Sequence, residues 1–228
     1  MLRNLTENIS VLPASTNPLS ADVGIVYGRE RVYLYDVGAN EYSMNYINGI
    51  DKEKSVILSH FHQDHMGNIG LINCDTVYGG RESIKHLPDN IFREGIKHPS
   101  DSIGTIQNIC VTESVHIDDG VHIEIVPIPS THAKGSLAMC VNEEYTFLGD
   151  ATYTAMIKGQ TCYNAQLLKS QIEVLDSLKS RYFLLSHDEQ FVYEKQEIIG
   201  SLKNIYDSRD KSGNKSSNYI LMEPVKLH

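Results

Sequence analysis

Short apolar runs, broken by turn residues, dominate the first two thirds of the chain. Asn8–Leu12, Asp22–Tyr27 and Arg31–Asp36 are each short and apolar, and a tight Gly-Arg-Glu connection between the last two predicts a hairpin. Tyr42–Ile50 is compatible with a helix, and Ser55–Ser59 reads as a buried strand. The pattern then repeats: a brief strand at Thr76–Tyr78, a helix near Glu82–His86, and an irregular stretch over 87–108. A connection of that length is often a lid or pocket wall. Val121–Ile128 alternates apolar and polar positions, as a half-buried strand does, and Asp119-Gly120 supplies the turn before it. Ser136–Val141 and Tyr145–Leu148 form a second expected hairpin.

The last third changes period. Asn164–Lys179 places Leu167, Leu168, Ile172, Val174, Leu175 and Leu178 largely at helical spacing. Tyr182–Leu185 is a short strand, Glu189–Tyr206 a final helix interrupted by Gly200, and Tyr219–Met222 a short terminal strand. Strands with interspersed helices predict an α+β fold of mixed layers, with sheet inside and helices outside. No internal repeat or low-complexity linker divides the 228 residues, so one domain spanning 1–228 is expected.

Composition narrows the function classes. The formal net charge is −9, and an acidic surface repels phosphate backbones, so nucleic acid is not the expected partner. No apolar run approaches the length of a membrane span, and the first twenty residues hold no continuous apolar core of a secretory signal. The expected location is therefore the cytoplasm. Cys74, Cys110, Cys140 and Cys162 form no CxxC pair, and each sits in or beside an apolar segment, so buried free thiols are expected.

The chemistry concentrates in His60-Phe-His62-Gln-Asp64-His65, where three imidazoles and a carboxylate fall within six residues. Imidazole nitrogen and carboxylate oxygen suit a borderline cation such as zinc. Residues two apart in extended chain point the same way, so His60 and His62 can grip one ion. The turn that follows re-aims Asp64 and His65, and Gly67 lets the chain leave sharply. His132, Asp150 and His187 repeat the arrangement of His60: a short apolar strand, a small residue, then a metal-ligating side chain. Four strands ending this way imply one shared edge of a sheet. His86, His98, His116, His122 and His228 lack this setting and read as non-ligands, His98 being the best placed of them to line a pocket.

HFHQDH, followed by THAKGS, FLGDATY and LLSHDE, resembles the metallo-β-lactamase superfamily over roughly residues 22–190. The resemblance implies a four-layer αβ/βα sandwich with the site at one edge between two sheets. It implies one ion on His60, His62 and His132, a second on Asp64, His65 and His187, and Asp150 bridging both. Asp36, in YLYDVGA, matches a position that supports the site by orienting a ligating imidazole. Di-iron members carry glutamate where His62 stands, which argues for two zinc ions, although this donor set also accepts iron, manganese or cobalt. Asp150-Ala-Thr-Tyr153-Thr and His187-Asp188 resemble the acyl-homoserine lactone hydrolases, in which the tyrosine contacts the substrate carbonyl.

The implied activity is a binuclear hydrolase acting on an ester-like carbonyl (lactone, ester or thioester) of a small molecule, with Asp64 and Tyr153 in catalytic roles. The runners-up are a small-molecule phosphodiesterase, a β-lactamase-like amide hydrolase and a non-catalytic metal-bound module. A glutathione thioesterase would add a basic tail, for which Lys211, Lys215 and Lys226 are thin material. Phe92, Ile96 and Tyr163 are the expected apolar wall of the pocket.

Overall fold

In a computed structural model the described residues are 2–88, 106–209 and 218–222. Phe92, Ile96, His98, His228 and the three tail lysines lie outside them, as does most of the stretch expected to form a lid.

Two mixed sheets stack face to face. The first runs, in spatial order, Arg3–Asn4, Ile9–Leu12, Val23–Tyr27, Arg31–Tyr35, Glu53–Leu58, Thr76–Gly79 and Gln107–Cys110. The second runs Val115–Asp118, His122–Ile128, Ser136–Val141, Tyr145–Gly149, Tyr182–Leu185 and Val192–Glu194. Both expected hairpins form, with Gly24 opposite Tyr35 and Met139 opposite Phe147.

Strand periodicity explains the layers. Successive side chains point to opposite faces, so Tyr33, Tyr35 and Ile57 meet Ile123, Ile125, Leu137, Met139, Phe147 and Leu184 in a core between the sheets. Their neighbours Val32, Leu34, Val56 and Leu58 pack outward with Ile47 of the helix Glu41–Asn48. On the other side Ala138, Cys140, Phe183 and Leu185 pack against Leu168, Ile172 and Leu175 of the helix Ala165–Ser177 and Ile199 and Leu202 of the helix Lys195–Asp207. The order is helix, sheet, sheet, helix, as expected. Asn40 and Asn164 cap two of these helices, accepting from the N–H of Ser43 and Leu167.

Three expectations need correction. The last helix begins at Lys195, not Glu189, because Asp188 Oδ1 accepts from the N–H groups of Gln190 and Phe191 and closes a turn. Phe191 then takes φ 62°, and Val192–Glu194 pairs as a strand with Tyr182–Leu184. Cys110 is exposed at the end of its strand, whereas the other three cysteines are buried. The strands that lead to the candidate ligands belong to two sheets, not one. A third small sheet, Ala155–Ile157 with Gln160–Asn164 and Tyr219–Leu221, covers the end of the helical layer; it seats Tyr163 in the outer core. No described helix is long and apolar enough to cross a membrane.

Candidate metal centre

The candidate ligands lie beyond the C-terminal ends of strands from both sheets. Glu53–Leu58 delivers His60 and the short helix Gln63–Met66 that follows it. His122–Ile128, Tyr145–Gly149 and Tyr182–Leu185 deliver His132, Asp150 and His187. Left-handed residues turn the chain at two of these ends, Gly149 (φ 54°) and His187 (φ 61°), and Asp36 (φ 61°) does the same after the neighbouring strand Arg31–Tyr35. Glycine is required at 149 for a second reason. A Cβ there would lie 2.8 Å from Ser59 Cβ, so the backbone before Asp150 passes directly over the residue before His60.

The seven side chains gather into two adjoining donor sets, His60, His62 and His132 in one and Asp64, His65, Asp150 and His187 in the other. His132 Nε2 lies 3.1 Å from His62 Nδ1. In the second set His187 Nε2 lies 3.4 Å from His65 Nε2 and 3.0 Å from Asp64 Oδ2. Asp150 Oδ2 stands between the sets, 3.4 Å from His132 Nε2 and 3.4 Å from His65 Nε2.

These separations fit a cation. Two donors on one tetrahedral zinc with ~2.0–2.1 Å bonds sit roughly 3.3 Å apart. Facing ring nitrogens at that distance need either a shared proton or a shared positive ion. Two donor atoms, His60 Nε2 and Asp150 Oδ1, are buried without a hydrogen-bond partner. An unsatisfied buried polar atom is costly, and a metal ion satisfies it. The donor sets therefore fit divalent cations.

The far sides of the His60, His132 and His65 rings are held so that the other nitrogen faces the cluster. His60 Nδ1 lies 2.9 Å from Ser59 Oγ. His132 Nδ1 donates to Thr154 O at 3.0 Å, which leaves Nε2 free to ligate. His65 Nδ1 lies 2.8 Å from Asp36 Oδ2, and Asp36 Oδ1 accepts from Ser59 N at 2.7 Å. Asp36 is fully buried, so one carboxylate sets both the His65 ring and the backbone before His60. That is the supporting place expected of it.

Charge is distributed unequally. Burial, then His65, His62 and His132, hold His60 neutral, far below the usual histidine range. Burial and His132 also lower His62. In the second set burial disfavours a charged His65, but Asp36 and Asp150 outweigh it and raise its pKa to about 10. The hydrogen bond that His187 donates to Asp64 raises its pKa against burial. Burial would raise Asp64; its bond with His187 and the nearby His65 instead bring it down to about 2. One set is thus built of imidazoles alone, the other of imidazoles and carboxylates.

Tyr153 flanks the site with its ring 6.4 Å from that of His132, and its hydroxyl donates to the backbone oxygen of Ser186. The structure also shows a residue that sequence reasoning passed over. Asp22 is buried, and its Oδ2 accepts from the N–H of His187 at 3.0 Å. Its only sequence signal is a lone charge at the head of an apolar run. Among the histidines read as non-ligands, His86 stacks on Phe61, and His116 stacks on His122.

No family model and no curated protein sequence matches the chain. Solved structures do. An archaeal metallo-beta-lactamase superfamily protein from Sulfolobus tokodaii superposes with a TM-score of 0.60 at 18% identity, over 92% of this chain and 90% of its own. The chain has the metallo-β-lactamase fold. The metallo-beta-lactamase SMB-1 bound to 2-mercaptoethanesulfonate gives 0.62 at 14% identity, over 89% and 93%. The chemotaxis sensor ODP, described with a peroxy diiron species, gives 0.62 at 13%, over 91% and 94%. Proteins of such different chemistry on one fold mean that function has to be argued from the site.

Proposed function

We propose that this chain is a metal-dependent hydrolase that uses two zinc-type ions to cleave an ester-like carbonyl bond (lactone, ester or thioester) of a small molecule. The observation that carries the reading is Asp150, whose Oδ2 lies 3.4 Å from a histidine of each donor set. His60, His62 and His132 would hold one ion and Asp64, His65 and His187 the other, with Asp150 within reach of both sets. Such ions supply a water activated near neutral pH and polarise the scissile carbonyl. His62 favours this reading over di-iron chemistry, because the di-iron pattern that the motif otherwise resembles has glutamate there.

The chain's own residues do the remaining work. Asp64, ionised down to about pH 2, accepts a hydrogen bond from the attacking water and orients it, then carries its proton to the leaving group. Asp36 keeps His65 Nε2 free to ligate. His62, His132, Asp64 and His187 are the partly exposed members of the cluster, so substrate approaches from their side. The Asp150–Thr154 segment, which resembles that of lactone hydrolases, makes a lactone the first substrate to try.

The test is a panel with the zinc-loaded full chain: an acyl-homoserine lactone, an acyl thioester, a cephalosporin and a bis-aryl phosphate. Turnover of the lactone or thioester, lost on chelation and restored by zinc, is expected. Two bound ions with no turnover of any member would overturn the hydrolase reading in favour of a metal-bound binding module. Turnover of the phosphate alone would replace carbonyl chemistry with phosphodiester chemistry.

A further inference from the structure

His187 owes its position to one peptide group. The residue takes φ 61°, a left-handed conformation that is uncommon for any residue but glycine. The peptide joining Ser186 to His187 is held at both ends. Its carbonyl accepts from the Tyr153 hydroxyl, and its N–H donates to Asp22 Oδ2 at 3.0 Å. The two clamps come from different sheets: Tyr153 follows the strand Tyr145–Gly149, and Asp22 precedes Val23–Tyr27. Asp22 is fixed in turn, since its Oδ1 accepts from Ala14 N at 3.0 Å and its own N–H donates to Ser186 Oγ at 3.1 Å. The Ser186 hydroxyl donates back to Asp22 Oδ2.

We infer that Tyr153 and Asp22 are positioning residues for the second ion, which act by clamping the Ser186–His187 peptide so that His187 faces Asp64 and His65. This builds on the two-ion reading above. The Tyr153 hydroxyl has one proton, and that proton lies on Ser186 O. Of the other side chains of the second set, His65 is braced by Asp36, and Asp64 rides on its own helical turn, where its backbone oxygen accepts from Ala21 N. His187 is the member whose backbone depends on the clamp. In the first donor set His60 and His62 hang on another loop, and His132 is braced by Thr154 O and not by the Ser186–His187 peptide. Loss of either clamp therefore weakens one ion and spares the other.

The experiment is a stepwise zinc titration of the full chain against a chromophoric chelator, for the wild type, Tyr153→Phe and Asp22→Asn. A His132→Ala reference identifies the step that belongs to the first donor set. Tyr153→Phe removes only the hydroxyl. Asp22→Asn keeps the shape but turns an amide hydrogen toward either Ala14 N–H or His187 N–H, and thermal unfolding of both variants reports retained folding. The expected result is a loss of roughly tenfold or more in the affinity of the second ion in each variant, with the first step unchanged. Unchanged affinity of both steps would overturn the proposal, and so would equal weakening of both, which would mark general loosening. Wild-type affinity in Tyr153→Phe with turnover lost at saturating zinc would also overturn it, and would make the hydroxyl a direct donor to substrate. The wild-type titration separates the two readings: two ions without turnover removes the hydrolase and leaves the clamp testable, whereas fewer than two ions removes the shared premise.

Discussion

Substituting Asp36 by asparagine tests whether the metal centre depends on the residue beneath it. Backbone strain is not introduced, because Asp36 sits at φ 61° and asparagine tolerates the left-handed region about as well. What changes is one hydrogen-bonding edge. The carboxylate accepts from Ser59 N at 2.7 Å and meets His65 Nδ1 at 2.8 Å. An amide offers one oxygen and one NH2, so one of these contacts becomes two facing donors. If the NH2 faces Ser59, the backbone before His60 shifts. If it faces His65, the ring must carry its proton on Nε2, the nitrogen that faces Asp150. Either route damages ligation. Loss of such a supporting contact typically lowers metal affinity 10–100-fold, which is about 1.4–2.8 kcal/mol. The net worth of a charge-assisted hydrogen bond, about 1.5–3 kcal/mol, agrees. The assay is zinc competition against a chromophoric chelator, with thermal unfolding in the presence and absence of zinc. Wild-type affinity at both steps in Asp36→Asn would refute the claim that this carboxylate orients His65.

Gly149→Ala places a Cβ 2.8 Å from Ser59 Cβ at φ 54°, so a loss of at least about 1–3 kcal/mol is expected, read as a lower urea midpoint; an unchanged midpoint would mean that the two strand ends are free to separate. Burial, partly offset by Thr146, pushes the Cys140 thiol to about 11. The folded state therefore holds it neutral while the unfolded chain ionises near pH 9. Its contribution is complete below pH 9 and falls as pH rises to 11, by up to about 2–3 kcal/mol. Cys140→Ala should flatten that alkaline decline, and equal declines in the two proteins would count against the assignment. Under native conditions an aromatic disulfide reagent should label Cys110 at once and the three buried thiols only on unfolding, with the fast phase absent from Cys110→Ser.

The fold was legible where a single strand's own pattern decided it. Period-2 alternation in the strand His122–Ile128 and the turn residues between the paired runs gave both hairpins and the layer order. The misplaced helix start shows the limit. Residues 189–194 contain nothing hostile to a helix. Their strand exists because Asp188 closes a turn and Tyr182–Leu184 offers an edge to pair with, and both are facts about tertiary partners. Cys110 misled for the opposite reason: an apolar neighbourhood in sequence sat at the last residue of an outermost strand.

The candidate site divides along the same line. The six-residue histidine motif is local, and the strand-then-ligand pattern repeats in sequence, so the seven candidate donors that the fold brings together could be named without a structure. Their sharing between two sheets was implied by the resemblance alone, because nothing in a strand's own sequence states which neighbour it takes. Of the groups that hold the donors in place, Asp36 was named only through the family resemblance, and Asp22 was not named at all. Asp36 reaches His65 across 29 positions and Asp22 reaches His187 across 165. Each is a buried carboxylate at one end of an apolar strand, where an unpaired charge would be strongly unfavourable. A lone aspartate at such a strand end is therefore worth reading as an anchor for a partner that the fold brings from elsewhere. Asp150, after the apolar strand Tyr145–Gly149, obeys the same rule with the metal centre as its partner.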